Sequence, residues 1–439
     1  MSRGDGIQGM AAWRGGPAGL RVLFCAGMVA LAAILPAGGG QAQVTYGYSI
    51  EFEEPRFPFK KPMNARFRPE LDPLQAEIAA RQEAGEDATC SLQIFREAHW
   101  LVNYTPDAEA AERRIADLRE SLEERDQAWA LEQTPTDGSW GACYEAWFFR
   151  LHASVDPLKE LVATGRQPRY PLDFLHEVDT PEKLFAIYED VLISDLDEGE
   201  ANRRRELNMI TTALGQLLFL PALAEVLPAD YPREEMADAL RTFMDERWQN
   251  TSTGYWGAWY KVDGELVKTD DLSVTFHIVS YRRGEVNMMR ELVDTTFSLR
   301  ETRYPFGWQD RGTTNNHHSY DVAVLLNYGW PYMTYIQRAR AAAELSIMLA
   351  RSLRLTIDGQ GRFYTDAYDN IGDAYYFGVS FLDAVGYFDP EKRFWTSLKF
   401  PGSTDLRYKL IANMEALDSR DPMILAALRK LRTEPDTGE

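Results

Sequence analysis

Apolar positions along this chain recur mainly at three- and four-residue intervals, and strand-like alternation is scarce. Thr105-Pro106-Asp107 offers an N-cap, a proline at the first helical position and an acid in the first turn. The charged helix it opens carries Ile115, Leu118 and Leu122 on one stripe, and its acidic face over residues 106–135 reads as solvated. Thr180-Pro181-Glu182 repeats the device before LFAIYEDVLISDL, and Pro232-Arg233-Glu234-Glu235 opens a helix expected to run to Trp248. These signals predict an all-α chain of helical hairpins. Residues 43–75 depart from the pattern: rich in proline and aromatics without a clear period, they predict an extended arm.

A weak repeat runs through the helical part. Gly/aromatic loops recur as DGSWGACYEAW at Trp140, TGYWGAWY at Trp256, YPFGWQDRG at Trp308 and DGQGRFYTDAY at Phe363. The intervals are about 55 residues, except the first, which is about double, as if a copy near residue 198 had lost its marker. One helix pair per repeat predicts roughly six pairs over residues 95–425, enough to close an (α/α) toroid and gather the loops at one mouth. Residues 43–94 then form the arm and a first helix, and 426–439 a polar tail.

The first 42 residues read as an export signal. Arg3, Arg14 and Arg21 lead into the apolar run VLFCAGMVALAAILP, and Gly40-Gln41-Ala42 offers small residues for cleavage. The run is too short for a comfortable span, so the expectation is a periplasmic or secreted protein from about residue 43, without a stable membrane anchor. Cys90 and Cys143 remain beyond the signal; an oxidising compartment permits them to pair, and two buried thiols fit as well.

Composition narrows the partners. The formal charge is -20, which speaks against nucleic acid, whose phosphates need a basic surface. Phe, Trp and Tyr make up 12% of the chain, a surplus suited to stacking on sugar rings. Trp140, Trp256, Trp308 and Tyr364 are the candidate stacking residues. There is no HExxH, no Cys/His spacing of a structural zinc site and no phosphate-binding glycine loop, so neither metal nor cofactor is expected.

The densest polar cluster is Thr313-Thr314-Asn315-Asn316-His317-His318-Ser319-Tyr320-Asp321. Thr314 or Asn315 can cap a helix, which would put Asn316, His317, Tyr320 and Asp321 on one face. His317 with Asp321 a turn later is a candidate proton-transfer pair, and the Asn316 amide can donate to a developing anion. A second patch, Lys268-Thr269-Asp270-Asp271, leads into a helix with His277, where Asp270 and His277 are expected on one face. A third holds Arg362, Tyr364, Asp366 and Asp369 before Tyr375-Tyr376-Phe377.

Asn315-Asn316-His317 ahead of Tyr320-Asp321, then a DGQ turn and a Tyr-Tyr-Phe helix some way on, resembles the catalytic half of the alginate lyases and related (α/α)-toroid polysaccharide lyases. The resemblance covers about 70 residues. It implies β-elimination on a uronic acid-containing glycan: Asn316 neutralises the carboxylate, His317 is base or neutraliser, and Tyr375 or Tyr376 the acid/base. The family's arginine before the catalytic tyrosine is absent, and Asp366, Asp369 and Asp373 stand there, with Arg362 the nearby cation. The same toroid hosts glycoside hydrolases, which would pair Asp270 or Asp271 with Asp321, Asp366 or Asp369. Glu145 is a further carboxylate candidate, and His318 is counted with the substrate-binding residues. A non-catalytic glycan-binding or envelope-assembly protein is the remaining class.

Overall fold

The computed structural model describes residues 56–310, 314–368, 370–417 and 421–432. The expected export signal, and Asp369 among the candidate site residues, lie outside the described residues.

The chain is predominantly helical. Among the described residues three helices come first: α1 (Lys60–Glu83), α2 (Thr89–Tyr104) and α3 (Ala108–Ser121). The described part of the expected extended arm, residues 56–75, is therefore mostly the long helix α1. Its Pro69 and Pro73 face solvent, while Met63, Phe67, Leu71 and Ile78 form a buried stripe at helical spacing. That stripe packs with Ile94, Val102, Ile115 and Leu118 of α2 and α3 into a small core of its own. The cap of α3 is Asp107, which accepts from the Ala110 amide at 2.9 Å; Thr105 instead bonds back to Leu101.

Eleven further helices follow: α4 (Trp147–Ala163), α5 (Pro181–Leu192), α6 (Arg204–Phe219), α7 (Arg233–Thr242), α8 (Leu272–Tyr281), α9 (Met289–Ser298), α10 (Asn316–Gly329), α11 (Tyr335–Leu355), α12 (Ile371–Ala384), α13 (Ser403–Ala416) and α14 (Pro422–Arg432). Thr180 caps α5 with Pro181 in the first turn, as expected. The helix from Arg233 reaches Trp248 through a π-helical turn at Phe243–Trp248. The body extends to Arg432, so the expected polar tail begins with a packed helix whose Ala427, Leu428 and Leu431 are buried.

The even-numbered helices pack in succession, α4 on α6, α6 on α8, α8 on α10, α10 on α12 and α12 on α14. Arg429 of α14 then bonds Glu160 of α4 at 2.9 Å. A single large core runs through these helices. A small sheet joins β1 (Ile193–Asp195) in parallel to β2 (Trp259–Val262), which pairs antiparallel with β3 (Glu265–Lys268).

The Gly/aromatic loops precede α4, α8, α10 and α12, and the unmarked position near residue 198 falls in the connection before α6. Two of the loops share one backbone design. Thr134 N–H donates to Ser139 O and Gly138 N–H to Thr134 O; Asn250 N–H donates to Tyr255 O and Gly254 N–H to Asn250 O. Gly138 and Gly254 both sit at positive φ, 70° and 72°, where a Cβ would run into the carbonyls of Pro171 and Met288. The tryptophan two residues on is thereby turned inward. Trp140, Trp256 and Trp308 are all core residues, and the Trp256 indole N–H is committed to Met244 O at 2.8 Å. Their expected role in stacking sugars is corrected: these indoles are packed in the core and do not line a mouth.

Candidate active site

The first turn of α10 anchors the site. The Asn315 side chain caps the helix by accepting from His317 N–H at 2.9 Å, and its amide holds Ala367 O at 3.0 Å. Asn316 is fully buried; its backbone N–H donates to the Tyr368 hydroxyl and its side-chain amide to Thr356 Oγ1 at 3.0 Å. Contrary to the expectation that it meets a substrate carboxylate, Asn316 ties α10 to the end of α11 and positions its neighbour. His317 keeps 28% of its side chain exposed, with the ring stacked on Phe377 at 3.8 Å.

Tyr304, from the loop before α10, completes a polar triad. Its hydroxyl donates to Asp321 Oδ2 at 3.0 Å and lies 3.3 Å from His317 Nε2. The His317–Asp321 separation is 3.9 Å, so the phenol bridges a pair that the sequence suggested would meet directly. Its ring also stacks at 3.6 Å on His318, which bonds Asp310 at 2.5 Å. Burial pushes the Asp321 carboxyl well above the usual carboxylate range, against the bond from Tyr304, and Asp271 pushes it further. Burial likewise holds the His317 imidazole well below its ordinary value, helped by His318 and His277. The His317 ring is neutral at physiological pH.

Other side chains converge on the same recess. On α8, His277 Nδ1 lies 3.1 Å from the Tyr281 hydroxyl, and burial, with His152 and Arg204 nearby, holds its pKa at about 3. On α4, His152 and Asp156 have solvent-exposed surface, yet the enclosing walls remove enough water to bring His152 down to about 4. On α12, Tyr376 faces Tyr320, and burial pushes its phenol up to about 12. Burial also raises Tyr320, Tyr281 and Tyr304 well above the usual phenol range. These groups of α4, α8, α10 and α12 lie close enough to act on one another's charge, and the exposed His152 and Asp156 open them to the surface as one recess.

The tyrosine pair is resolved by this geometry. Tyr375 is 2% exposed and turned edge-on to Phe363, away from the recess, so Tyr376 is the candidate for proton transfer. The other expected site residues separate. Asp271 is fully buried, caps α8 through Val274 N–H and pairs with Arg204 at 2.6 Å. Asp270 lies before α8, bonded by Thr253 at 2.6 Å, and shares no helical face with His277. Arg362 pairs with Asp358 within its own turn, and Tyr364 and Asp366 are exposed on that loop. Glu145 lies beside Arg113 and Arg114 outside the recess.

Tyr304, Tyr281, His152, Asp156 and Lys430 are additions of the structure. One signal for three of them stood in the sequence: His152/Asp156, His277/Tyr281 and His317/Asp321 each place a proton-bearing group four residues after a histidine, on three different helices. Among the described residues no group of three His, Cys, Asp or Glu side chains is arranged to hold a metal, and no helix is long and apolar enough to cross a membrane. Cys90 and Cys143 form a disulfide that joins α2 to the Trp140 loop. No family profile matches this chain, and neither a characterised protein nor a solved structure shows detectable similarity to it.

Proposed function

We propose that this protein is an exported carbohydrate-active enzyme of (α/α)-toroid architecture that cleaves a uronic acid-containing glycan by β-elimination. The succession of α4, α6, α8, α10, α12 and α14, with Arg429 bonded back to Glu160, supports a closed ring of about six hairpins. The observation that carries the chemistry is the Tyr304–His317–Asp321 triad opening on a recess that Tyr376 also faces.

Elimination needs a base for the C5 proton and an acid for the leaving oxygen. With the Tyr304 O–H donated to Asp321, the phenol oxygen accepts from His317 Nε2–H, and the imidazole lone pair falls on Nδ1. Nδ1 takes the C5 proton, the freed electron pair forms the C4–C5 double bond, and the C4–O bond breaks. Tyr376, protonated at neutral pH, supplies the proton to the departing oxygen.

Hydrolysis has one observation in its favour. Asp156 and Asp321 are driven apart, the first lowered by Lys159 and His152 against desolvation and the second raised, as in an acid/base pair. Asp321 has no exposed surface, however, and reaches the recess only through Tyr304. Elimination therefore takes precedence.

The test is a panel of glycans with and without uronic acids, followed by ultraviolet absorbance of the unsaturated product beside reducing ends. Absorbance on uronate glycans, lost by about 100-fold or more in His317→Ala and Tyr376→Phe but retained in Tyr375→Phe, is the expected outcome. Reducing ends without absorbance would transfer the assignment to hydrolysis. Silence on every glycan would leave a binding protein.

A further inference from the structure

Lys430 has no part in the proton transfers above. It reaches from α14 to the rings of Tyr376 and Tyr320, with its ammonium 4.9 and 5.4 Å from their centres, and donates to Ser380 Oγ at 2.7 Å. Among the described residues it makes no ion pair. Asp383, the carboxylate nearest in influence, is taken by Lys392 at 2.7 Å. One ammonium N–H is used by Ser380, which leaves two to offer. A cavity of about 380 Å³ opens beside it, lined by Tyr320, Ser280, Asp383, Glu391, Lys392 and Phe394.

The position fits a sugar acid. Tyr320 stands three residues beyond His317 on α10, about 4.5 Å of helix rise, so the ring beneath the ammonium is one helical turn from the imidazole. The two phenol faces hold the ammonium by cation–π contact and leave its remaining N–H groups to the cavity. Desolvation brings the Lys430 pKa down to about 8, a cost that an incoming anion would offset by a charge-assisted hydrogen bond.

We infer that Lys430, with Ser380 and the faces of Tyr320 and Tyr376, is the seat for the carboxylate of a uronic acid. The inference deepens the elimination reading and rests on it for the link to turnover. One enclosed ammonium without an ion pair can select an anionic sugar that a net charge of -20 would otherwise repel.

The experiment is calorimetric titration of the full chain with glucuronate and, separately, glucose. The wild type is expected to bind glucuronate in preference to glucose, Lys430→Met to lose at least tenfold in glucuronate affinity, and Lys430→Arg to retain most of it. Unchanged thermal unfolding of the variants shows that they are folded, and the Arg variant serves if the Met variant is not. Glucuronate affinity of the wild type should fall as pH rises through about 8, with Asp383, Glu391, Lys392, Lys159, Tyr320, Tyr328 and Tyr376 as the facing ionisable groups. Equal glucuronate affinity in wild type and Lys430→Met, or no preference for glucuronate over glucose, overturns the seat. Glucuronate binding that depends on Lys430, with no unsaturated product from any uronate glycan, overturns elimination and leaves the seat standing.

Discussion

Asp271→Asn distinguishes a carboxylate that holds the fold from one that does chemistry. Asp271 is fully buried, and its two oxygens have separate tasks: Oδ1 accepts from Val274 N–H at 3.0 Å, capping α8, and Oδ2 accepts from Arg204 Nε at 2.6 Å. Asparagine keeps an oxygen for the cap but turns a donor toward Arg204. The guanidinium has no substitute, since Nη2 is already buried without a partner. Removing one member of a buried pair costs about 3–5 kcal/mol. Asp271→Ala loses the cap as well, about 1 kcal/mol more. Against a total stability on the order of 5–15 kcal/mol these are large fractions. Urea unfolding at neutral pH, with slopes compared to confirm the same transition, reads both values. A Asp271→Asn chain within about 1 kcal/mol of wild type that has lost turnover would refute the structural role and restore Asp271 as a reacting carboxylate.

Two further predictions concern the recess and the disulfide. His277 is held at about 3, so between pH 6.5 and 3 the unfolded chain binds a proton there that the folded chain refuses, and stability falls as pH drops through that window. Replacing it with Gln should flatten the pH dependence of stability by on the order of 1 kcal/mol per pH unit, measured by urea unfolding at pH 4.5 and 7; an unchanged slope would show that the ring is protonated in the fold. The Cys90–Cys143 bridge closes a loop with a sequence separation of 53, and chain entropy assigns such a loop about 4 kcal/mol. The Cys90→Ser/Cys143→Ser chain should lose about 2–4 kcal/mol in the same assay, and no loss would mean that the bridge adds nothing to the Arg114–Glu97 pair beside it.

Local signals were dependable where they concern a chain's own next few residues. The all-α class, the caps at Thr180 and Asn315 and the recurrence of a loop before each of several helices were legible because capping and turn chemistry act within three or four positions. The same reasoning failed on α1, where two prolines outweighed a stripe at Met63, Phe67, Leu71 and Ile78 that only packing on α2 and α3 makes decisive. It failed again on the tryptophans. Their recurrence was visible in the sequence, but whether an indole meets a sugar or a core depends on what stands opposite, and here Met244 O and the packed helices do.

The site divides in the same way. His317 and Asp321 could be named as partners from a spacing of four, since helix geometry stacks such residues. Tyr304, which bridges them, Tyr376 rather than Tyr375, and Lys430 more than a hundred positions from His317 could not be named. Their roles depend on which helices become neighbours and how much water the assembled walls exclude. Spacing along one helix is a local property that the amino-acid order carries; convergence and desolvation exist only once distant segments have packed.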